Sequence, residues 1–180
     1  MRGSAMLQIR RYRSTDHATI RELFILVNRE LAPSHLHEAF KAYIALSLRE
    51  EIDCIAEYYD EGRGRSFWVA VIDNVLAGCF GLEPTVQGAI EIRRMYVQPL
   101  YRRQGVATAM LRHAEAVCQE RGTIKLLLST SELQCAALGL YSSAGYRLLG
   151  EEHAVVASNK TVGHGIRRFH FEKVLAIYSP

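Results

Sequence analysis

The segment from Met95 to Tyr146 constrains this chain more than any other. A strand ending in Met95-Tyr96-Val97 passes through Gln98-Pro99-Leu100-Tyr101 into the loop Arg102-Arg103-Gln104-Gly105-Val106-Ala107. That loop opens directly into a helix, marked by the apolar stripe Val106, Met110, Ala114 and Val117, with Gly122 where a C-terminal glycine belongs. The apolar run Lys125 to Ser129 then reads as a short strand buried on both faces. It is expected to lie parallel to the strand before the helix, because a helical crossover joins them. A second helix, Leu133 to Ser143, ends at Gly145.

The other elements group around this unit. Leu7 to Arg13 alternates as a first strand. Asp16 is placed to cap a helix whose stripe is Ile20, Leu23, Phe24 and Val27, and Pro33 must end it. Apolar residues recur at helical spacing from Leu36 to Tyr59 after a Ser34 cap, in one long helix or two, stopped by Gly62 and Gly64. Ser66 to Ile72 and Val75 to Leu82 read as a hairpin turning at Asp73-Asn74, two residue types that tolerate positive φ. Ala89 to Val97 extends this antiparallel meander. Tyr146 to Val156 and Ile166 to Leu175 close the chain as strands around the loop Asn159 to Gly165. The order predicts an α/β protein with a mixed sheet, mostly antiparallel with one parallel pair, and helices on its faces.

At 180 residues, 49% hydrophobic and 23% charged, the chain suits one domain with one core, expected over residues 7–176. Met1-Arg2-Gly3-Ser4 resembles an expression leader, so residues 1–6 stand outside the fold. The net charge of +3 permits a phosphorylated ligand without requiring nucleic acid, and no basic run with interleaved aromatics is present. No apolar run reaches the ~20 residues that span a membrane, and no signal-peptide pattern appears, which makes a cytoplasmic location the expectation. Cys54, Cys79, Cys118 and Cys135 have no paired spacing and read as buried free thiols. His35 and His37 lack a second ligand pair, so no metal is expected.

The loop before the helix at Val106 has the chemistry of an anion cradle. A helix N-terminus carries unpaired N–H groups and a partial positive charge, and phosphates bind there. Gly105 lets backbone amides approach an anion, Ala107 keeps the approach narrow, and Arg102 and Arg103 add charge.

These residues resemble the acyl-CoA-binding motif of the GNAT superfamily of N-acetyltransferases. That motif, Arg/Gln-x-x-Gly-x-Gly/Ala, is matched by Arg102, Gly105 and Ala107. The family's later Asn-x-x-Ala-x-x-Leu-Tyr-x-x-x-Gly-Phe/Tyr is met by Gln134, Ala137, Leu140, Tyr141, Gly145 and Tyr146, with Gln134 in place of the commoner asparagine. The first strand and helix start, Ile9 to Asp16, and the closing segment, Gly165 to Lys173, are also similar to the family. The resemblance implies the GNAT fold and acetyl-CoA as donor. Backbone of Met95, Tyr96 and Val97 would pair with the pantetheine arm. Amides from Arg103 through Gln104, Gly105, Val106 and Ala107 to Thr108 would hold the pyrophosphate. Gln134 would also contact the donor.

The resemblance further implies Tyr141 near the thioester sulfur as general acid. The base is less fixed. Glu91 precedes Arg102 by the spacing of the strand glutamate in histone-acetylating relatives, and a partly buried strand carboxylate holds a proton more readily. It could instead pair with Arg93 or Arg94. Other relatives carry their base where Ser129 stands, and serine cannot serve, which leaves Glu91, Glu83, Glu132 or a water-mediated path. Cys135 has no recognisable histidine partner and reads as a bystander.

The reading is therefore direct acetyl transfer to a primary amine on a small-molecule or amino-acid-like acceptor. The rival is an acyl-CoA-binding module without catalysis. A nucleotide-binding domain is excluded by the lack of an early GxGxxG or GKS/T loop. Exposed sheet edges make a homodimer an open expectation.

Overall fold

The computed structural model describes residues 6–176, so the leader-like residues 1–5 lie outside it. Among these residues seven strands form one sheet: β1 (Leu7–Arg11), β2 (Ser66–Ile72), β3 (Val75–Pro84), β4 (Ile90–Val97), β5 (Lys125–Ser131), β6 (Arg147–Ala154) and β7 (Ile166–Val174). Their order is β1-β2-β3-β4-β5-β7-β6, antiparallel except for the β4–β5 pair. The helices are α1 (His17–Leu31), α2 (His37–Glu50), α3 (Ile55–Tyr58), α4 (Val106–Glu120) and α5 (Cys135–Ser143). No helix among the described residues is long and apolar enough to cross a membrane.

Both faces of the sheet are covered. Met110, Leu111 and Ala114 of α4 and Tyr141 of α5 bury against Phe80, Leu82, Ile92 and Leu128. On the other face Ile20, Leu23 and Val27 of α1 pack on Phe67, Val69 and Cys79, and α2 adds Phe40, Tyr43 and Ile44 around Phe24. Each fully buried Val, Leu, Ile, Phe or Met among these contributes about 1.5–3 kcal/mol. The β2–β3 hairpin turns at Asp73 (φ 48°) and Asn74 (φ 66°), both left-handed, as those residue types allow.

Several expectations need correction. β1 ends at Arg11, because the Asp16 carboxylate accepts from the Arg13 N–H at 2.8 Å and draws the chain into a turn. Asp16 is therefore not a side-chain cap for α1; it also pairs with Arg10 at 2.8 Å. Of the two readings of the second helical region, the two-helix one holds: the chain breaks at Glu51 (φ −144°, ψ −56°), whose carboxylate turns inward. β5 is buried on one face only: Leu126, Leu128 and Thr130 are covered, while Leu127 and Ser129 are half-buried. α5 starts at Cys135, two residues later than its apolar pattern suggests. Only Cys79 and Cys118 are buried thiols, whereas Cys54 is half-buried and Cys135 exposed.

One close contact locks α3 to the sheet. A Cβ placed on Gly81 would lie 2.4 Å from the Tyr59 ring, which is itself 5% exposed. Gly81→Ala should therefore force Tyr59 aside and destabilise the chain by about 1–3 kcal/mol. Urea unfolding would measure this, and an unchanged midpoint would contradict it.

Candidate active site

The parallel β4–β5 pair is short. Its register runs Ile90↔Leu126, Glu91↔Leu127 and Ile92↔Leu128, and stops there. Beyond Ile92 the β4 strand stays with β3 alone, through Cys79↔Tyr96 and Gly78↔Val97. The cause is a β-bulge: Arg94 and Met95 together face the single residue Phe80 across the ladder, and Arg94 sits at φ 52°. Met95, Tyr96 and Val97 thus leave their β5-facing side unpaired among the described residues. At the far end the Val97 carbonyl accepts from Arg102 Nε at 3.3 Å.

Beside this gap Gly105 (φ 80°) leads into α4, which has no side-chain cap. The first-turn N–H groups of Val106, Ala107 and Thr108 consequently lack intrahelical acceptors. A Cβ on Gly105 would meet nothing within 4 Å, so the space in front of these amides is open. Arg103 is left-handed (φ 60°) and exposed, and these features together suit a diphosphate. Two expected donors are already engaged. Arg102 pairs with Glu30 at 2.8 Å, and the Gln104 side chain donates to the Leu100 carbonyl at 2.8 Å. For these two, the backbone rather than the side chain remains available.

A cleft of about 930 Å³, open solvent included, runs through the gap. Because the strands part, it is lined from both sheet faces: Tyr141 from the α5 side, Phe40, Tyr43 and Arg94 from the α2 side. Glu91, Met95, Tyr96, Ser129 and Gln134 also line it, so residues expected in separate roles share one space. The Tyr141 ring packs 5.7 Å from Phe171, and burial pushes its phenol up to about 12. Its hydroxyl has no hydrogen-bond partner among the described residues, which leaves it free to donate into the cleft. The Gln134 carbonyl oxygen instead accepts from Thr130 Oγ1 at 2.9 Å, so part of its amide chemistry is spent inside the protein.

Glu91 pairs with neither Arg93 nor Arg94. Its carboxylate holds Lys160 Nζ at 2.6 Å, across the cleft mouth. Of the other carboxylates considered, Glu83 is bound to Arg93 at 2.6 Å and Arg65 at 2.8 Å. Glu132 accepts from the Arg167 N–H at 3.0 Å. Neither lines the cleft. Ser129 Oγ accepts from Arg168 Nη2 at 2.5 Å. Cys135 donates to the Glu132 carbonyl at 3.3 Å, with no base beside it.

The cleft floor is an ionic cluster that sequence reasoning missed. The bulge turns two consecutive arginines to the same side. Arg93 Nη2 and Arg94 Nη2 reach the fully buried Glu51 at 2.7 and 2.6 Å, and Tyr59 donates its hydroxyl to the same carboxylate. Burial would raise the Glu51 carboxyl, but the Arg94 and Arg93 guanidiniums overrule it and hold it below its ordinary 4.5. Arg94 also donates to Tyr43 Oη at 2.9 Å and to the Asn159 carbonyl at 2.6 Å, while its Nε is buried without a partner among the described residues. The signal in the sequence was faint: Glu50 and Glu51 both lie between the stripe residues Leu48 and Ile52, and nothing local marks Glu51 as the buried one. No group of three His, Cys, Asp or Glu among the described residues could hold a metal.

The fold defined by this parted sheet is that of acetyltransferases. The chain superimposes with TM-score 0.70 on the PaiA N-acetyltransferase of Thermoplasma acidophilum, solved in complex with coenzyme A, at 19% identity over 94% of this chain and 99% of that one. Residues 11–146 match the model of the acetyltransferase (GNAT) family, and the chain belongs to that family. It is 40% identical over 98 residues to the probable N-acetyltransferase 14 of Xenopus tropicalis, covering 53% of this chain and 47% of that protein. It is 28% identical over 133 residues to the N-acetylaspartate synthetase of Homo sapiens, covering 73% of this chain and 44% of that protein. The chain spans about half the length of these relatives.

Proposed function

We propose that this chain is an acetyl-CoA-dependent N-acetyltransferase acting directly on a primary amine of a small, amino-acid-like acceptor. One observation carries the reading: the β4–β5 gap, with the open α4 N-terminus beside it, leads into a cleft lined by both Tyr141 and Glu91. The unpaired β4 edge would take the pantetheine arm as an added strand, and the α4 amides the pyrophosphate. The coenzyme A held by the Thermoplasma acidophilum neighbour favours this donor.

The donor supplies an activated acetyl group; the chain positions it and moves protons. Glu91 would take a proton from the acceptor amine, directly or through water. Tyr141, protonated throughout the physiological range, would donate to the departing sulfur. A phenol near 12 is a weaker acid than a thiol of ordinary pKa about 8.5. Its main effect is therefore a hydrogen bond to the developing thiolate, with the final proton drawn from solvent.

The acceptor side of the cleft is rich in cations. Arg168, paired with Glu152 at 3.3 Å, also places one N–H on a neutral serine, whereas Arg94 is already held by Glu51 at 2.6 Å. Arg168 suits an acceptor that carries a carboxylate, and the name of the human relative agrees with an amino-acid acceptor.

Calorimetric titration of acetyl-CoA tests the donor. The parent chain should bind and Gly105→Glu should not, since a carboxylate at φ 80° would stand before the cradle amides. Thiol release with a panel of amines then tests turnover. Binding without amine-dependent release would favour the non-catalytic module instead, and no binding at all would reject the reading.

A further inference from the structure

Lys160 is presented to the cleft by a built turn. Ser158 and Thr161 close it from both sides, N–H to carbonyl, at 2.9 and 3.3 Å. Ser158 Oγ accepts from the Lys160 N–H at 3.1 Å. From below, Arg94 grips the Asn159 carbonyl at 2.6 Å with a side chain only 4% exposed. The lysine side chain then enters the cleft, and its Nζ lies 2.6 Å from Glu91 Oε2. A primary amine thus stands beside the carboxylate assigned to accept the acceptor's proton.

The sequence holds three other lysines, Lys41, Lys125 and Lys173. Lys41 lies on the outer face of α2 near Glu38 at 3.8 Å, Lys125 pairs with Glu172 at 3.3 Å, and Lys173 pairs with Glu115 at 2.8 Å. None of the three lines the cleft. Lys160 alone among them combines a primary amine, a neighbouring carboxylate and a place in the same space as Tyr141.

We infer that Lys160 is a self-acetylation site: with no acceptor bound, the chain transfers acetyl from acetyl-CoA to its own Lys160 Nζ. This rests on the acetyl-transfer reading above. The Lys160 ammonium gives one proton to Glu91, and the freed lone pair forms a C–N bond with the thioester carbonyl carbon. The C–S bond breaks as the carbonyl re-forms, and the nitrogen loses a second proton. One of the two protons ends on the coenzyme A thiol, with Tyr141 donating toward the sulfur, and the other goes to solvent. The products are an amide on Lys160, free coenzyme A and one proton. The modified side chain is neutral, so the Glu91 carboxylate loses its cation and the cleft mouth loses its ionic bar.

The test incubates the purified chain with acetyl-CoA carrying a deuterated acetyl group and no added amine, and follows intact mass and then peptide fragments. One label per chain, on Lys160, is expected, with a first-order rate unchanged on dilution. Lys160→Arg should carry no label, and Tyr141→Phe should label about a hundredfold more slowly. A rate that falls with dilution would move the transfer between copies and overturn the inference. Label spread over all four lysines, at a rate indifferent to Tyr141→Phe, would be chemical acetylation and would also overturn it. Turnover with a free amine while Lys160 stays unlabelled would sink the inference and spare the acetyl-transfer reading. Failure both to bind acetyl-CoA and to release thiol with any amine would sink both.

Discussion

Tyr141→Phe should lower kcat about 10²–10³-fold while leaving acetyl-CoA affinity and stability nearly unchanged. The reason is in its surroundings. The Tyr141 ring is packed against Phe171 and Tyr146 at centroid distances of 5.7 and 6.2 Å, and phenylalanine keeps that packing. The hydroxyl has no partner among the described residues, so removing it orphans nothing. What is lost is the donor aimed at the sulfur, an interaction made only as the thiolate develops. Steady-state kinetics with calorimetry alongside would separate the two effects. A rate equal to the parent's would remove Tyr141 from the chemistry.

The second large effect is structural. Glu51→Ala would leave the Arg94 guanidinium, 4% exposed, without its carboxylate, and Arg93, 6% exposed beside it, with Glu83 alone. Breaking such a buried pair costs about 3–5 kcal/mol, a large part of the total stability of a domain. Glu51→Gln keeps the shape and some hydrogen bonds and should lose less, and guanidinium unfolding of both variants would establish the order. Acid should act on the same group. The Glu51 carboxyl lies below its unfolded 4.5, so its contribution is fully present above that value and is lost as pH falls through the lower folded one. In Glu51→Gln this acid-dependent share of the stability should be missing.

The elements were legible because each carried its own period or punctuation. The α4 stripe, the Asp73-Asn74 turn and the loop ending at Gly105 all depend on neighbours in sequence. The strand, loop and helix around Gly105 were legible for the same reason, since they follow directly from one another, whereas Tyr141 was singled out only by the family resemblance. The cleft floor was not. Alternation along β4 assigns Arg93 and Arg94 to opposite faces, and only the bulge at Arg94 puts both on Glu51. The partner of Glu91 was equally hidden. Lys160 lies 69 residues away in a loop, and nothing local links the two.

The two ionic groups at the cleft also differ in how they feel their solvent. Lys160 and Glu91 are 43% and 18% exposed, whereas Arg94 and Glu51 are 4% and 0%. Mobile ions screen exposed charges over about 8 Å at physiological ionic strength and about 3 Å at 1 M, but barely reach a sealed pair. Salt therefore loosens the mouth of this cleft and spares its floor. The bulge and the Asn159 carbonyl stay where Arg94 holds them, while the lysine that bars Glu91 becomes free to swing away.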